Sequence, residues 1–162
     1  ELQNPGIAKK IIVADIAPRA YVAKHDEVLK ALNAVDFSKI KNRKEAEAIL
    51  NEYIPDFGTK QFLLKNIYRK DNDNTQMDWR FNLKVIEKNY FAVGEEVPNL
   101  TSTTETLFIR GDKSNYISEK DLADIEKRFP NYKLATIRGS GHWIHAEKPN
   151  EFFEEVLKFI IA

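Results

Sequence analysis

Apolar residues fall along this chain in two rhythms. Three short runs carry strand character: Ile11-Ile12-Val13-Ala14, Thr106-Leu107-Phe108-Ile109 and Lys133 to Ile137. The first is unbroken in its apolarity, which predicts a strand covered on both faces, as in a parallel sheet. Elsewhere the spacing is helical. Val28, Leu29, Leu32 and Val35 share one face, and Ala46, Ile49, Leu50 and Tyr53 share another, behind an Asn42/Glu45 capping box. Thr59 is placed to cap a third helix carrying Phe62, Leu63 and Ile67, and Asn82 to start a fourth with Leu83, Ile86 and Tyr90 facing inward. Ser118 with Asp121 opens a helix through Leu122, Ile125 and Phe129, which Pro130 ends. Phe152 to Ile160 forms a last, broadly apolar helix. Glu1 to Lys10 reads as a helix tail stopped at Asn4-Pro5-Gly6.

The order strand, helical insert, strand, helix, strand, helix predicts an α/β fold of three parallel strands with flanking helices. Residues 1–21 and 94–162 form its core, and residues 22–93 are a helical insert without a strong strand signal. Within the insert, the polar run 70–76 reads as a solvated loop. Its faint likeness to a calcium site fails because Gln76 and Asn82 stand where Gly and a bidentate Glu are needed.

Charge changes the picture by exclusion. Lys+Arg and Asp+Glu are both 25, which argues against nucleic acid or an anionic membrane as partner. The chain has no cysteine, so disulfides and Cys-based metal sites are out, and a cytoplasmic location is expected. The first residue is Glu1 and the sole methionine is Met77, so a processed, cut or partial chain is expected.

Chemistry concentrates in Arg138-Gly139-Ser140-Gly141-His142-Trp143-Ile144-His145-Ala146-Glu147-Lys148-Pro149. A strand that ends in glycines, delivers one His, and enters a helix at a proline displays an imidazole as a candidate general base. Asp15 leaves the first strand at the sheet edge where ligands gather in such folds. A carboxylate that orients a histidine is two-thirds of a Ser-His-Asp relay. The third member, a nucleophile on a Gly-x-Ser-x-Gly elbow, is absent: Ser38, Ser102, Ser114, Ser118 and Ser140 all lack that context. His145 with Glu147 does not form the His-Glu-x-x-His zinc pattern, so no metal is expected, and His145 is assigned a local hydrogen bond in a turn. Asp15 as the ribose-binding acid of a dinucleotide fold would need a glycine-rich turn about 20 residues upstream. No cofactor is expected.

Four segments, in order, carry a resemblance: Asp15-Ile16-Ala17-Pro18, His25-Asp26, Trp79-Arg80-Phe81-Asn82, and Gly141-His142-Trp143-Ile144-His145-Ala146-Glu147-Lys148-Pro149. Together they resemble the C-terminal portion of α/β-hydrolases of the YbfF-type esterase branch, from the sixth strand through a lid to the final helix. The resemblance implies a serine esterase or thioesterase acting on small acyl esters. Its elbow would lie about two dozen residues before Asp15, so this chain alone is expected to be inactive. The family's usual acid position falls at Ser114 of Gly111-Asp112-Lys113-Ser114. The YbfF branch also has Ser there and takes its acid from the sixth strand, which is Asp15; Asp112 is the competing candidate. His25, Phe62, Leu63, Trp79 and Trp143 are candidate substrate contacts, with plain core packing the alternative for the aromatic residues. A companion N-terminal half or a homodimer mate is the expected partner. The competing readings are a non-catalytic interaction fragment and part of an Asp-nucleophile hydrolase of the dehalogenase or epoxide hydrolase type.

Overall fold

In the computed structural model, which describes residues 1–22, 25–70 and 76–162, the three runs of strand character become strands of one parallel sheet. In chain order the elements begin with β1 (Ile11–Ala14), α1 (Asp26–Ala34), α2 (Arg43–Tyr53) and α3 (Phe57–Lys65). A hairpin of β2 (Ile67–Arg69) and β3 (Met77–Trp79) leads into α4 (Leu83–Lys88) and α5 (Tyr90–Val93). The chain then runs through β4 (Thr106–Gly111), α6 (Leu122–Arg128), β5 (Tyr132–Ile137), α7 (Ile144–Glu147) and α8 (Pro149–Ile161). These group into two compact units, Glu1–Tyr21 with Glu95–Ala162, and Val22–Gly94.

The first unit holds the sheet, ordered β1-β4-β5, with Ile11 beside Thr106 and Thr106 beside Tyr132. Alternate side chains of β4 serve opposite layers, as the period of two requires. Phe108 packs with Ala17, Ile117, Ile125 and Phe129 on one face. Leu107 and Ile109 pack with Ile137, Ile144 and Phe159 on the other. Continuous apolarity in β4 therefore reflects cover by α6 on one side and α8 on the other. β1 differs: it is an edge strand, with Ile11, Ile12 and Val13 only half-buried and Ala14 exposed.

Arg128, 3% exposed, closes the layer beneath α6. Its Nε donates to Asp124 Oδ1 at 2.9 Å, and its terminal nitrogens donate to Glu96 and the Val97 carbonyl. The guanidinium thereby fastens the segment returning from the second unit. Replacing Arg128 by Met should lower the stability of the chain by about 2–3 kcal/mol, measured by urea denaturation. That lies below the usual cost of breaking a fully buried ion pair because Asp124 and Glu96 remain partly solvated. No change in midpoint would show that the clamp contributes nothing.

The second unit packs α1, α2 and α3 around Ala31, Leu32, Ala46, Leu50, Leu64 and Trp79. Asn42 caps α2, accepting from the N–H groups of Lys44 and Glu45, while Glu45 reaches back to the Lys41 N–H. Here the structure corrects several expectations. Asp56, not Thr59, caps α3, its carboxylate taking the Thr59 N–H at 2.6 Å. Ile67 lies beyond that helix and starts an antiparallel hairpin, Ile67 facing Trp79. Three-residue strands are too short for alternation to be read, so the hairpin left no signal in the pattern. The fourth helix breaks at Asn89 into α4 and α5, and Ile86 is 38% exposed rather than inward. The calcium-like stretch 71–75 lies outside the described residues. Glu1 to Lys10 is not helical. Its turn is organised by the Glu1 carboxylate, which accepts from the Gly6 and Ala8 N–H groups.

Candidate active site

Both candidate catalytic residues sit in the first unit, each at the C-terminal end of a strand. Asp15 follows β1 with φ 51°, the one non-glycine residue of positive φ among the described residues. That left-handed conformation is unfavourable for a residue with a Cβ, and Asp is among the few that tolerate it. It turns the carboxylate back under the loops after β4 and β5, where it is fully buried. Three donors converge on it: the Gly111 N–H at 3.2 Å on Oδ1, and the Ser114 hydroxyl and His142 Nδ1 on Oδ2. The His142 contact is 2.8 Å. A buried carboxylate is tolerated only when so satisfied. Because it accepts and does not donate, the proton of the pair sits on Nδ1 and the lone pair on Nε2. Among the described residues nothing hydrogen-bonds Nε2, and 40% of the His142 side chain is exposed.

The loop that carries His142 is held from both flanks. Glu147, at the end of α7, accepts from the Gly141 N–H at 2.8 Å and the Trp143 N–H at 3.2 Å, the amides on either side of His142. The expected turn after His142 is therefore a single helical turn, Ile144–Glu147. Within it the His145 ring meets Phe152 edge-on and makes no side-chain hydrogen bond among the described residues. Pro149 then opens α8 at its first position. Gly111 allows this loop to lie against β4: a Cβ there would stand 2.3 Å from the Gly141 oxygen and 2.4 Å from that of Ser140.

Asp112, the rival acid, points elsewhere. Its Oδ1 takes the Gly139 N–H at 2.7 Å and braces the turn in which Gly139 adopts φ 74°. Ser114, at the family's usual acid position, binds Asp15 instead of His142. No serine hydroxyl among the described residues hydrogen-bonds His142, and no group of three or more His, Asp or Glu side chains among them is arranged to hold a metal.

The candidate substrate contacts scatter. His25, exposed, pairs with the Tyr90 hydroxyl through both its ring Nδ1 and its N–H. Phe62 is half exposed on α3, whereas Leu63 and Trp79 lie in the core of the second unit. Trp79 stacks on Phe81 at 5.5 Å and also walls a cleft of about 570 Å³ with Phe37, Tyr68, Arg80 and Lys84. Trp143 is half-buried beside His142.

An aromatic column that no sequence pattern announces backs His142. Tyr116 lies flat on His142, ring centres 3.7 Å apart and planes 15° from parallel. Tyr21 stacks on Tyr116 at 5.3 Å, and the Arg19 guanidinium covers Tyr21 at 4.1 Å. Burial raises the Tyr21 phenol above its usual value, so it stays a hydroxyl, donating to the Tyr116 carbonyl at 2.6 Å. Arg19 is anchored by Asp121 at 2.8 Å. Burial pushes the Asp121 carboxyl up, but hydrogen bonds from the Ser118 N–H and hydroxyl, with the Arg19 charge, hold it below the ordinary range. A depressed carboxyl contributes stability that is complete above about pH 4 and is lost as pH falls through the folded value. Acid titration of the chain should therefore show an Asp121-dependent loss below about pH 4, absent in Asp121→Asn; an identical acid limb in that variant would contradict it.

A parallel α/β sheet in which a carboxylate after β1 and a histidine after β5 meet from the two strands flanking β4 defines a hydrolase-type scaffold. The chain has the α/β-hydrolase fold, and its homologues include esterases of the YbfF type. Esterase YbfF of Escherichia coli (strain K12) is 36% identical over 154 residues, 93% of this chain and 57% of its own length. The sn-1-specific diacylglycerol lipase ABHD11 of Danio rerio is 31% identical over 168 residues, 98% of this chain and 51% of its own. The structure of a marine microorganism esterase matches with TM-score 0.85 and 39% identity, over 93% of this chain and 60% of that one. The chain thus spans a little over half the length of the curated relatives it matches. No protein-family model matches it. No helix among the described residues is long and apolar enough to cross a membrane.

Proposed function

We propose that this chain is the base-and-acid portion of a serine esterase or thioesterase. His142 acts as general base and Asp15 as the acid that orients it, and the helical unit 22–94 is the lid that shapes the acyl site. The observation that carries this reading is the 2.8 Å contact between His142 Nδ1 and the buried Asp15 carboxylate, with Nε2 left open. In acyl transfer, Nε2 takes the proton of an attacking hydroxyl and returns it to the leaving group, while Asp15 keeps the correct tautomer and steadies the imidazolium. The attacking serine and the oxyanion N–H groups come from a segment outside these 162 residues. Relatives named as an esterase and a lipase favour acyl esters as the substrate class.

The exposed surface supports a companion segment or a second copy. β1 offers an open strand edge, and Phe153, Leu157, Ile160 and Ile161 of α8 are between 42% and 75% exposed. The test is complementation. The chain alone should not hydrolyse p-nitrophenyl acetate or butyrate. Joined to the N-terminal segment of an esterase relative carrying Gly-x-Ser-x-Gly, it should, and His142→Asn should abolish that activity. Activity that survives His142→Asn would end the reading.

A further inference from the structure

We propose that Tyr116 is a positioning residue for His142, fixing the plane of the imidazole and so the direction of Nε2. This rests on the reading of His142 as the base, and extends it to the side chain stacked on that base.

One hydrogen bond fixes one atom. The contact from Nδ1 to Asp15 leaves the His142 ring free to swing about the Nδ1–Oδ2 line, and Glu147 holds only the backbone on either side. Swinging about that line carries Nε2 through an arc, yet general-base transfer requires hydrogen-bond reach to one oxygen. A ring face at 3.7 Å and 15° removes the remaining freedom, because rotation would drive the imidazole edge into the phenol. The two constraints together determine where Nε2 points.

Tyr116 is itself referenced to the acid. Its N–H donates to Ser114 Oγ at 3.2 Å, and that hydroxyl donates to Asp15. Its carbonyl accepts from Tyr21, whose oxygen also takes the N–H of Ala17, two residues after Asp15, at 2.8 Å. Tyr21 thus cross-braces the loop carrying Asp15 to the loop carrying Tyr116. Arg19, paired with Asp121, closes the column from behind. Any shift of one loop moves acid and stacking ring together, so their geometry at His142 is conserved.

Nuclear magnetic resonance on the 162-residue chain tests the geometry without requiring catalysis. In the parent, His142 ring protons should lie upfield and show cross-relaxation with the Tyr116 ring; no such contact overturns the proposal. Tyr116→Phe should keep both features, and Tyr116→Leu should lose the upfield displacement and broaden the ring signals. A folded Tyr116→Leu chain with unchanged His142 signals also overturns it. In the complemented, active form, Tyr116→Leu should lower kcat about 10- to 100-fold at unchanged KM, with Tyr116→Phe near the parent. An equal loss in both variants would assign the effect to the hydroxyl and end the stacking argument; no loss in either ends the positioning argument. If the ring contact is present and complementation yields no esterase, the functional reading fails alone. An active enzyme indifferent to Tyr116→Leu fails this proposal alone.

Discussion

In an active, nucleophile-bearing form of the protein, Asp15→Asn is expected to reduce kcat by about 10⁴-fold with little change in fold, the effect of forcing the wrong histidine tautomer in Ser-His-Asp enzymes. An amide at position 15 can turn its NH₂ toward His142 Nδ1. The ring then carries its proton on Nε2, and the lone pair that would accept the nucleophile's proton is gone. The backbone should accept the change, since Asn tolerates the left-handed conformation that Asp15 adopts at φ 51°. The stability loss should stay at about 1–2 kcal/mol, because the amide oxygen can still accept from the Gly111 N–H. Asp112→Asn is the matched control. Its acceptor role toward the Gly139 N–H survives in an amide oxygen, so activity should remain near the parent. Steady-state kinetics on the two variants decide the matter: an active Asp15→Asn beside an inactive Asp112→Asn would transfer the acid role to Asp112.

What the sequence makes legible is what short-range physics writes. The runs at β1, β4 and β5 declare three strands of a parallel sheet, of which β4 is the one covered on both faces, and the Asn42 and Ser118–Asp121 caps are visible because a cap and its target lie within four residues. The pairing of Asp15 with His142 spans 127 positions, and no periodicity encodes it. It entered through motif resemblance and through the rule that parallel strands gather their chemistry at one edge. The column of Arg19, Tyr21, Tyr116 and His142 had neither route, since stacking rings leave no spacing in a sequence. The β2–β3 hairpin failed for want of length, and Ile67 read as helix because it continued the spacing of Phe62 and Leu63. At Asp56 the true capping side chain is masked in the sequence, because a Thr three residues on suits the same hydrophobic run. Glu147 was read against zinc-site spacing, whereas its carboxylate serves the two amides flanking His142.

Gly111→Ala should be the most damaging of the alanine substitutions at Gly6, Gly58, Gly111, Gly139 and Gly141. At this position the last residue of β4 passes so close to the His142 loop that a Cβ would sit 2.3 Å from one carbonyl oxygen, 2.4 Å from another and 2.9 Å from a carbonyl carbon. All three atoms are backbone, so no side chain can swing away, and the loop must shift bodily. The Gly111 N–H also donates to Asp15, so relief by moving β4 instead would disturb the acid. Either displacement separates Asp15 from His142. A misplacement of about 1 Å is worth about 10²-fold in rate, and overpacking of this kind costs about 1–3 kcal/mol. Gly139→Ala supplies the contrast. Its cost is conformational, from φ 74°, while the added methyl would meet only the flexible Lys148 side chain at 3.7 Å. That change should cost about 1–2 kcal/mol in denaturant titrations, with a smaller loss of kcat. Equal rate losses in the two variants would mean that loop strain, and not the approach of β4 to the histidine loop, controls the site.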